Sequence, residues 1–187
     1  MIYKRKTVKC NLCPLSYRNR VWGEGDPSSK IIFVGEAPGK KEDEIAKPFV
    51  GSSGKLLETM LNSFDIKREN VWITNYINCK PPKNNFSSVE ATKARGKFCR
   101  SGLYEEIGWL CSYSKKILVP LGNNACLGFQ LSGGITKIRG EIFTDEEFII
   151  VPTYHPSYIL RNGGEKGIKW KEWENDFKKI INISYTI

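Results

Sequence analysis

Apolar positions fall into two rhythms along the chain. Four short runs are continuously apolar and rich in β-branched residues: 30–34 (KIIFV), 71–76 (VWITNY), 116–121 (KILVPL) and 148–153 (FIIVPT). Such runs, with no polar alternation, suit strands covered on both faces and hence a parallel sheet. Between them the period changes. After Ser53, residues 54–64 carry Leu56, Leu57, Met60, Leu61 and Phe64 at helical spacing, with further helical stretches expected at 102–110, 123–131 and 167–181. An antiparallel excursion is expected where 137–142 and 147–151 flank a turn at Thr144, Asp145 and Glu146. The segment 81–100 is polar and basic and reads as a loop entering a helix. The alternation of strand and helix predicts an α/β fold, a three-layer α/β/α sandwich around a central, mostly parallel four-stranded sheet. At 187 residues the chain is sized for one domain, residues 1–187.

Composition changes this picture little; the placement of charge changes it more. Apolar residues at 40% and charged residues at 26% are ordinary for a globular protein and exclude a disordered chain. No run approaches the roughly 18 apolar residues of a membrane span, and no apolar stretch follows the charged opening. The expectation is a cytoplasmic, monomeric protein without a membrane partner. The net charge of +9 is concentrated: residues 1–20 hold six Lys/Arg and no acid, and residues 80–100 hold six against Glu90 alone. Two such blocks are what a phosphate-backbone footprint requires, although a solvated basic face would have the same composition. The six cysteines lack a signal segment that would argue for disulfides, which leaves metal ligation or burial as thiols.

Unusual residues gather where the predicted strands end. GEAPGKKED (35–43) runs on to KPFVGSSG (47–54); ITNYINCKPP covers 73–82 and YHPSYILR covers 154–161. In a parallel sheet these loops share one rim, where ligands bind. The Gly51-Ser-Ser-Gly54-Lys55 string is not a phosphate-binding P-loop: two residues separate its glycines instead of four, and Leu56 follows the lysine. Its helix start could still hold a DNA phosphate. Taken singly, Phe49 could equally be core, Asn75 a turn former, and the Glu42-Asp43 pair helix-start charges.

Taken together, the three strings resemble the family 4 uracil-DNA glycosylases. The resemblance implies an enzyme that extrudes deoxyuridine from uracil-containing DNA and hydrolyses its glycosidic bond. It implies that Phe49 stacks on uracil and that the Asn75 amide reads its edge, a pattern cytosine would present in reverse. His155, the one histidine, would donate to the developing charge on uracil O2. Glu36 is the first candidate to handle water, because Ala37 stands where better-known uracil glycosylases carry a water-orienting aspartate. Ala37 and Glu42 would line the uracil, Glu42 near C5. Ser53 and Ser157 would hold phosphates, and Leu160 or Arg161 would wedge into the duplex. The rival reading is a non-catalytic DNA-binding protein of the same fold, such as a polymerase accessory or defence factor. An iron-sulfur electron carrier is a third reading, one that would not require the pocket motifs.

Cys10, Cys13, Cys79 and Cys99 resemble the family's ligands to a [4Fe-4S] cluster. Zinc more often draws paired C-x2-C knuckles, whereas Cys79 and Cys99 stand singly. The 19 residues between Cys79 and Cys99 are a longer spacing than is common in the family. Cys111 and Cys126 read as buried thiols. A related branch bonds covalently to DNA through a histidine in a basic insert after the second motif; the corresponding segment here has no histidine.

Overall fold

The computed structural model describes residues 1–6, 10–144 and 147–187. Seven strands occur among the described residues: β1 (Ile2–Tyr3), β2 (Gly23–Gly25), β3 (Ile31–Gly35), β4 (Trp72–Asn75), β5 (Lys116–Pro120), β6 (Phe143–Thr144) and β7 (Phe148–Ile150). They form one sheet in the order β1-β2-β4-β3-β5-β7-β6. The four apolar runs are its parallel centre, β4-β3-β5-β7, and the three additional strands are antiparallel edges. The helices are α1 (Lys40–Ile45), α2 (Ser52–Asn62), α3 (Val89–Lys93), α4 (Arg100–Cys111), α5 (Gly122–Cys126), α6 (Ile135–Ile138), α7 (Pro156–Arg161) and α8 (Ile168–Ser184). No helix among the described residues is long and apolar enough to cross a membrane.

Successive strand residues point to opposite faces, so each central strand contributes to two cores. Ile31 and Phe33 join Leu57 and Met60 of α2 and Trp173 and Phe177 of α8; Ile32 and Val34 join Leu103 and Ile107 of α4. This is the expected three-layer arrangement, with seven strands in place of four. The edge strands span two or three residues, too few for a hydrophobic period to register. The expected strand at 137–142 is not formed: Ile135–Ile138 is helical, and β7 instead takes Phe143–Thr144 as its antiparallel partner, Phe143 opposite Ile150. Within the expected turn, Asp145 and Glu146 lie outside the described residues. The 123–131 stretch is helical only to Cys126 and then tightens into a 3-10 turn. After Pro81 a 3-10 turn leads to α3, and a π turn over Ala94–Cys99 joins α3 to α4.

A buried ion pair locks the amino-terminal arm against this sheet. Arg5 Nε meets Glu106 Oε2 at 2.8 Å with both side chains fully excluded from solvent. The guanidinium also donates to the carbonyls of Tyr76 (3.1 Å), Asn75 (2.7 Å) and Cys99 (3.5 Å). Glu106 in turn accepts from Trp72 Nε1 at 2.7 Å and Thr74 Oγ1 at 3.2 Å. Removing one member of such a pair strands a charge in the core. Arg5→Met is expected to lower unfolding free energy by about 3–5 kcal/mol in a chemical-denaturation titration. Adding Glu106→Gln, which removes the stranded charge and keeps an acceptor for Trp72, should restore part of that loss; equal stability of Arg5→Met and the unmodified protein would contradict this account.

Candidate active site

The parallel strands end at one rim, and the loops leaving them enclose a cavity of about 480 Å³. Glu36 and Ala37 follow β3, Asn75 ends β4, and His155 follows β7 as the N-cap of α7. Of the expected residues outside the cysteine set, Glu36, Ala37, Glu42, Phe49, Ser53, Asn75, His155, Ser157 and Arg161 all line this cavity. Leu160 does not; it is exposed on α7 beside Arg161. Asn84 also lines the cavity. It adopts φ +55° next to Lys83 at +53°, a left-handed pair of non-glycine residues that the polar, basic composition of 81–100 does not signal.

Phe49 is held in a conformation that side chains seldom adopt, φ +52°. Two groups keep it there, Arg68 from outside the motif strings and Glu42 from within them. Arg68 donates to the Phe49 carbonyl at 2.9 Å and to the Pro48 carbonyl, and is itself paired with Glu24 at 3.4 Å. Glu42 Oε1 accepts from the backbone N–H of Val50 (2.9 Å) and Gly51 (2.7 Å). Part of the Glu42 carboxylate is therefore committed to the loop that carries Phe49. The ring then lies over Gly35: a Cβ at that position would stand 2.5 Å from Phe49 Cε2 and 2.3 Å from Asn75 Oδ1. Only glycine permits both side chains to approach there.

Asn75 is buried, and its backbone carbonyl is anchored by Arg5. Its side-chain amide lines the cavity and is not engaged by another side chain or backbone group among the described residues, which leaves donor and acceptor to a ligand. The His155 ring centroid is 5.8 Å from that of Phe49. His155 Nδ1 accepts from the Ser157 N–H at 3.1 Å and lies 2.8 Å from Ser157 Oγ. A backbone N–H can only donate, so Nδ1 is the acceptor and the proton of the neutral ring resides on Nε2. Burial, assisted by the positive charge of Arg161, lowers the imidazole pKa to about 4. The residues preceding it are braced from behind: Thr153 Oγ1 donates to Asp176 at 2.6 Å, Asp176 pairs with Arg139, and Tyr154 donates to Glu172 at 2.8 Å.

Glu36 Oε2 accepts from Asn124 Nδ2 at 2.9 Å. Burial raises the pKa of this carboxyl, while the Asn124 bond and the charges of Arg161 and Arg95 oppose the rise. Asn124 and Arg68 carry no motif that would have singled them out; their roles follow from partners 88 and 19 residues away.

Cys10, Cys13, Cys79 and Cys99 line a separate, largely apolar pocket. Cys10–Leu12 form a 3-10 turn, Leu15 N–H lies 3.5 Å from Cys13 Sγ, and Arg20 bridges to Cys79 in antiparallel fashion. The 19 residues between Cys79 and Cys99 hold a 3-10 turn, α3 and the π turn, whose last residue is Cys99. Among the described residues no three His, Cys, Asp or Glu side chains are grouped as for a single metal ion. Cys126 is buried as expected, whereas Cys111 is only partly so, because it ends α4 near the surface.

The chain is similar to known proteins over most of its length. The uracil DNA glycosylase superfamily is matched over residues 22–178. The type-4 uracil-DNA glycosylase of Sulfurisphaera tokodaii is 37% identical, the alignment covering 98% of this chain and 84% of that protein. The type-4 enzyme of Thermotoga maritima is 38% identical over 86% of this chain and 83% of its own length. That of Archaeoglobus fulgidus is 33% identical over 94% and 88%.

Because the chain has one histidine, its imidazole resonances are assigned without ambiguity. They should titrate near pH 4 and report an Nε2–H tautomer at neutral pH. The native ring resists a proton that the unfolded ring accepts from about pH 6.5 downward. Stability linked to His155 is therefore complete above pH 6.5 and is lost as pH falls toward 4. A midpoint near 6.5 in the native spectrum would overturn the assignment.

Proposed function

The chain belongs to the uracil DNA glycosylase superfamily, and we propose that it hydrolyses the N-glycosidic bond of deoxyuridine in DNA, releasing uracil and leaving an abasic site. The observation that carries the reading is the His155 arrangement. Nδ1 is occupied by the Ser157 N–H, and a neutral Nε2–H remains as donor beside the Phe49 ring. When the C1′–N1 bond breaks, its electron pair leaves with uracil and charge accumulates on O2. A fixed neutral donor stabilises that charge without having to surrender its proton.

The remaining roles follow the chemistry of each position. Uracil stacks on Phe49, accepts at O4 from the Asn75 Nδ2–H and donates its N3–H to Asn75 Oδ1. Cytosine presents a donor and an acceptor in the reverse places, so the same amide rejects it. Ala37 and Glu42 border the base, with Glu42 toward C5. Water attacks C1′ as the bond breaks and passes its proton to Glu36. Glu36 takes this part because alanine at position 37 has no side-chain acceptor. Ser53, at the first turn of α2, and Ser157 meet phosphates, while Leu160 and Arg161 enter the gap left in the stack. The basic stretches 1–20 and 80–100 extend the contact along the DNA backbone.

The donor set of the second pocket fits a [4Fe-4S] cluster held by Cys10, Cys13, Cys79 and Cys99. Four thiols line one apolar space, the soft donor set that an iron-sulfur cluster takes. Bound there, the cluster supplies cross-links between the amino-terminal arm and the 79–99 segment. The glycosylase chemistry itself is left to the protein's own side chains.

A uracil-containing oligonucleotide incubated with the protein and then treated with alkali should break at the uracil. Persistence of intact strands at stoichiometric protein would refute the enzyme. His155→Ala should slow single-turnover excision by about 10² to 10³, the effect of removing one such donor. Gly35→Ala should fold and yet lose uracil affinity, seen as a raised KM, because its methyl displaces both Phe49 and Asn75.

A further inference from the structure

Four loops leave the parallel strands at the rim of the cavity, and one of them has no part in the roles assigned above: the loop after β5. Leu121 N–H donates to the Val34 carbonyl at 2.9 Å, and Gly122 N–H donates to the Thr153 carbonyl at 2.8 Å. The loop is thereby fastened between the strand that leads to Glu36 and the segment that leads to His155. Gly122 has φ +82°, and a Cβ there would stand 3.0 Å from His155 Cβ, so the chain passes directly against the histidine. Two residues later Asn124 extends its amide to Glu36.

We infer that Asn124 is a positioning residue for Glu36, holding one carboxylate oxygen so that the other faces the attacking water. This rests on the reading that Glu36 takes the water's proton. The bond is specific in its atoms: Nδ2 donates to Oε2 at 2.9 Å, and Oε1 has no protein partner among the described residues. The Glu36 backbone is fixed independently, its carbonyl accepting from Ile77 N–H at 3.1 Å. The carboxylate orientation therefore depends on the side-chain amide. In the reaction the water oxygen bonds to C1′ as the C1′–N1 pair departs with uracil, and the water's proton passes to Oε1.

The donor also favours the ionised carboxylate, which is the form able to accept that proton. Burial opposes ionisation at Glu36, and Asn124, Arg161 and Arg95 support it. His155 and Glu42 share the cavity. The imidazole gains its proton only near pH 4, and the Glu36→Gln variant distinguishes a limb that belongs to Glu36 from one that belongs to Glu42.

The test uses the holoprotein with specifically ¹³C-labelled glutamate and single-turnover excision of uracil from an oligonucleotide across the acid range. Asn124→Ala, and Asn124→Asp as the near-isosteric variant should the first fail to fold, are each expected to raise the Glu36 carboxyl midpoint. The acid limb of the rate should move with it by about one pH unit, which slows the reaction up to about tenfold below the limb. A loss of rate with midpoint and limb unmoved would mean that Asn124 only packs the loop, and the inference would fall. Glu36→Gln separates the two levels of the argument. If that variant keeps the original rate and profile, the role of Glu36 fails and the inference with it. If it abolishes the limb while the Asn124 variants leave the limb in place, only the inference fails.

Discussion

The Arg5 guanidinium occupies the point where the amino-terminal arm, the end of β4 and the cysteine pocket meet. Its charge is fully buried and would be strongly unfavourable there without Glu106, which itself sits on α4 with Trp72 and Thr74 as donors. Once that pair is in place, the remaining guanidinium hydrogens must find acceptors. They find the carbonyls of Asn75, Tyr76 and Cys99. One side chain thus fixes the strand end that presents Asn75 to the cavity and the turn that presents Cys99 to its neighbouring cysteines. Two sites with different chemistry share a single support, and neither can shift far without disturbing the ion pair.

The cavity is built from groups whose other hydrogen bonds are already committed. His155 Nδ1 is occupied by the first turn of α7, which defines the tautomer; Glu42 is engaged with the N–H groups of the Phe49 loop; the Asn75 backbone is held by Arg5. The atoms left over are the ones turned to a ligand. Pre-organisation of this kind reduces the rearrangement needed when charge develops in the transition state. It also accounts for the unfavourable left-handed backbone at Phe49, which is maintained by the Arg68 bonds to the two adjacent carbonyls.

Much of this was legible in the sequence. The four central strands are continuous apolar runs because both sheet faces are covered, and that pattern is visible without knowledge of partners. Phe49, Asn75 and His155 stand out in the sequence because each sits in a short string with unusual residues at a strand end, and all three line the cavity. The edge strands β1, β2 and β6 were not legible because two or three residues carry no period. The 137–142 segment alternates enough to read as a strand, but Gly133 and Gly134, both left-handed, start a helix at Ile135. Arg5, Arg68 and Asn124 escaped notice for a different reason. Each acts through a partner distant in sequence, and an arginine or asparagine alone does not indicate whether it will face water or a buried carbonyl. The π turn before Cys99 is equally hidden, since a π turn has no period of its own that the sequence would display.

The two glutamates of the cavity illustrate how environment separates identical side chains. Glu42 uses one oxygen for two backbone N–H groups and so acts as a clamp on the Phe49 loop. Glu36 receives one amide hydrogen on Oε2 and keeps Oε1 without a protein partner among the described residues. Glu42 Oε2 is likewise without a protein partner among the described residues, so a spare oxygen does not separate the two; what their bonded oxygens hold does, the Phe49 loop for Glu42 and the Asn124 amide for Glu36. Alanine at position 37 is then tolerable, because the carboxylate reaches the cavity from the neighbouring residue and is held there from across the sheet by Asn124.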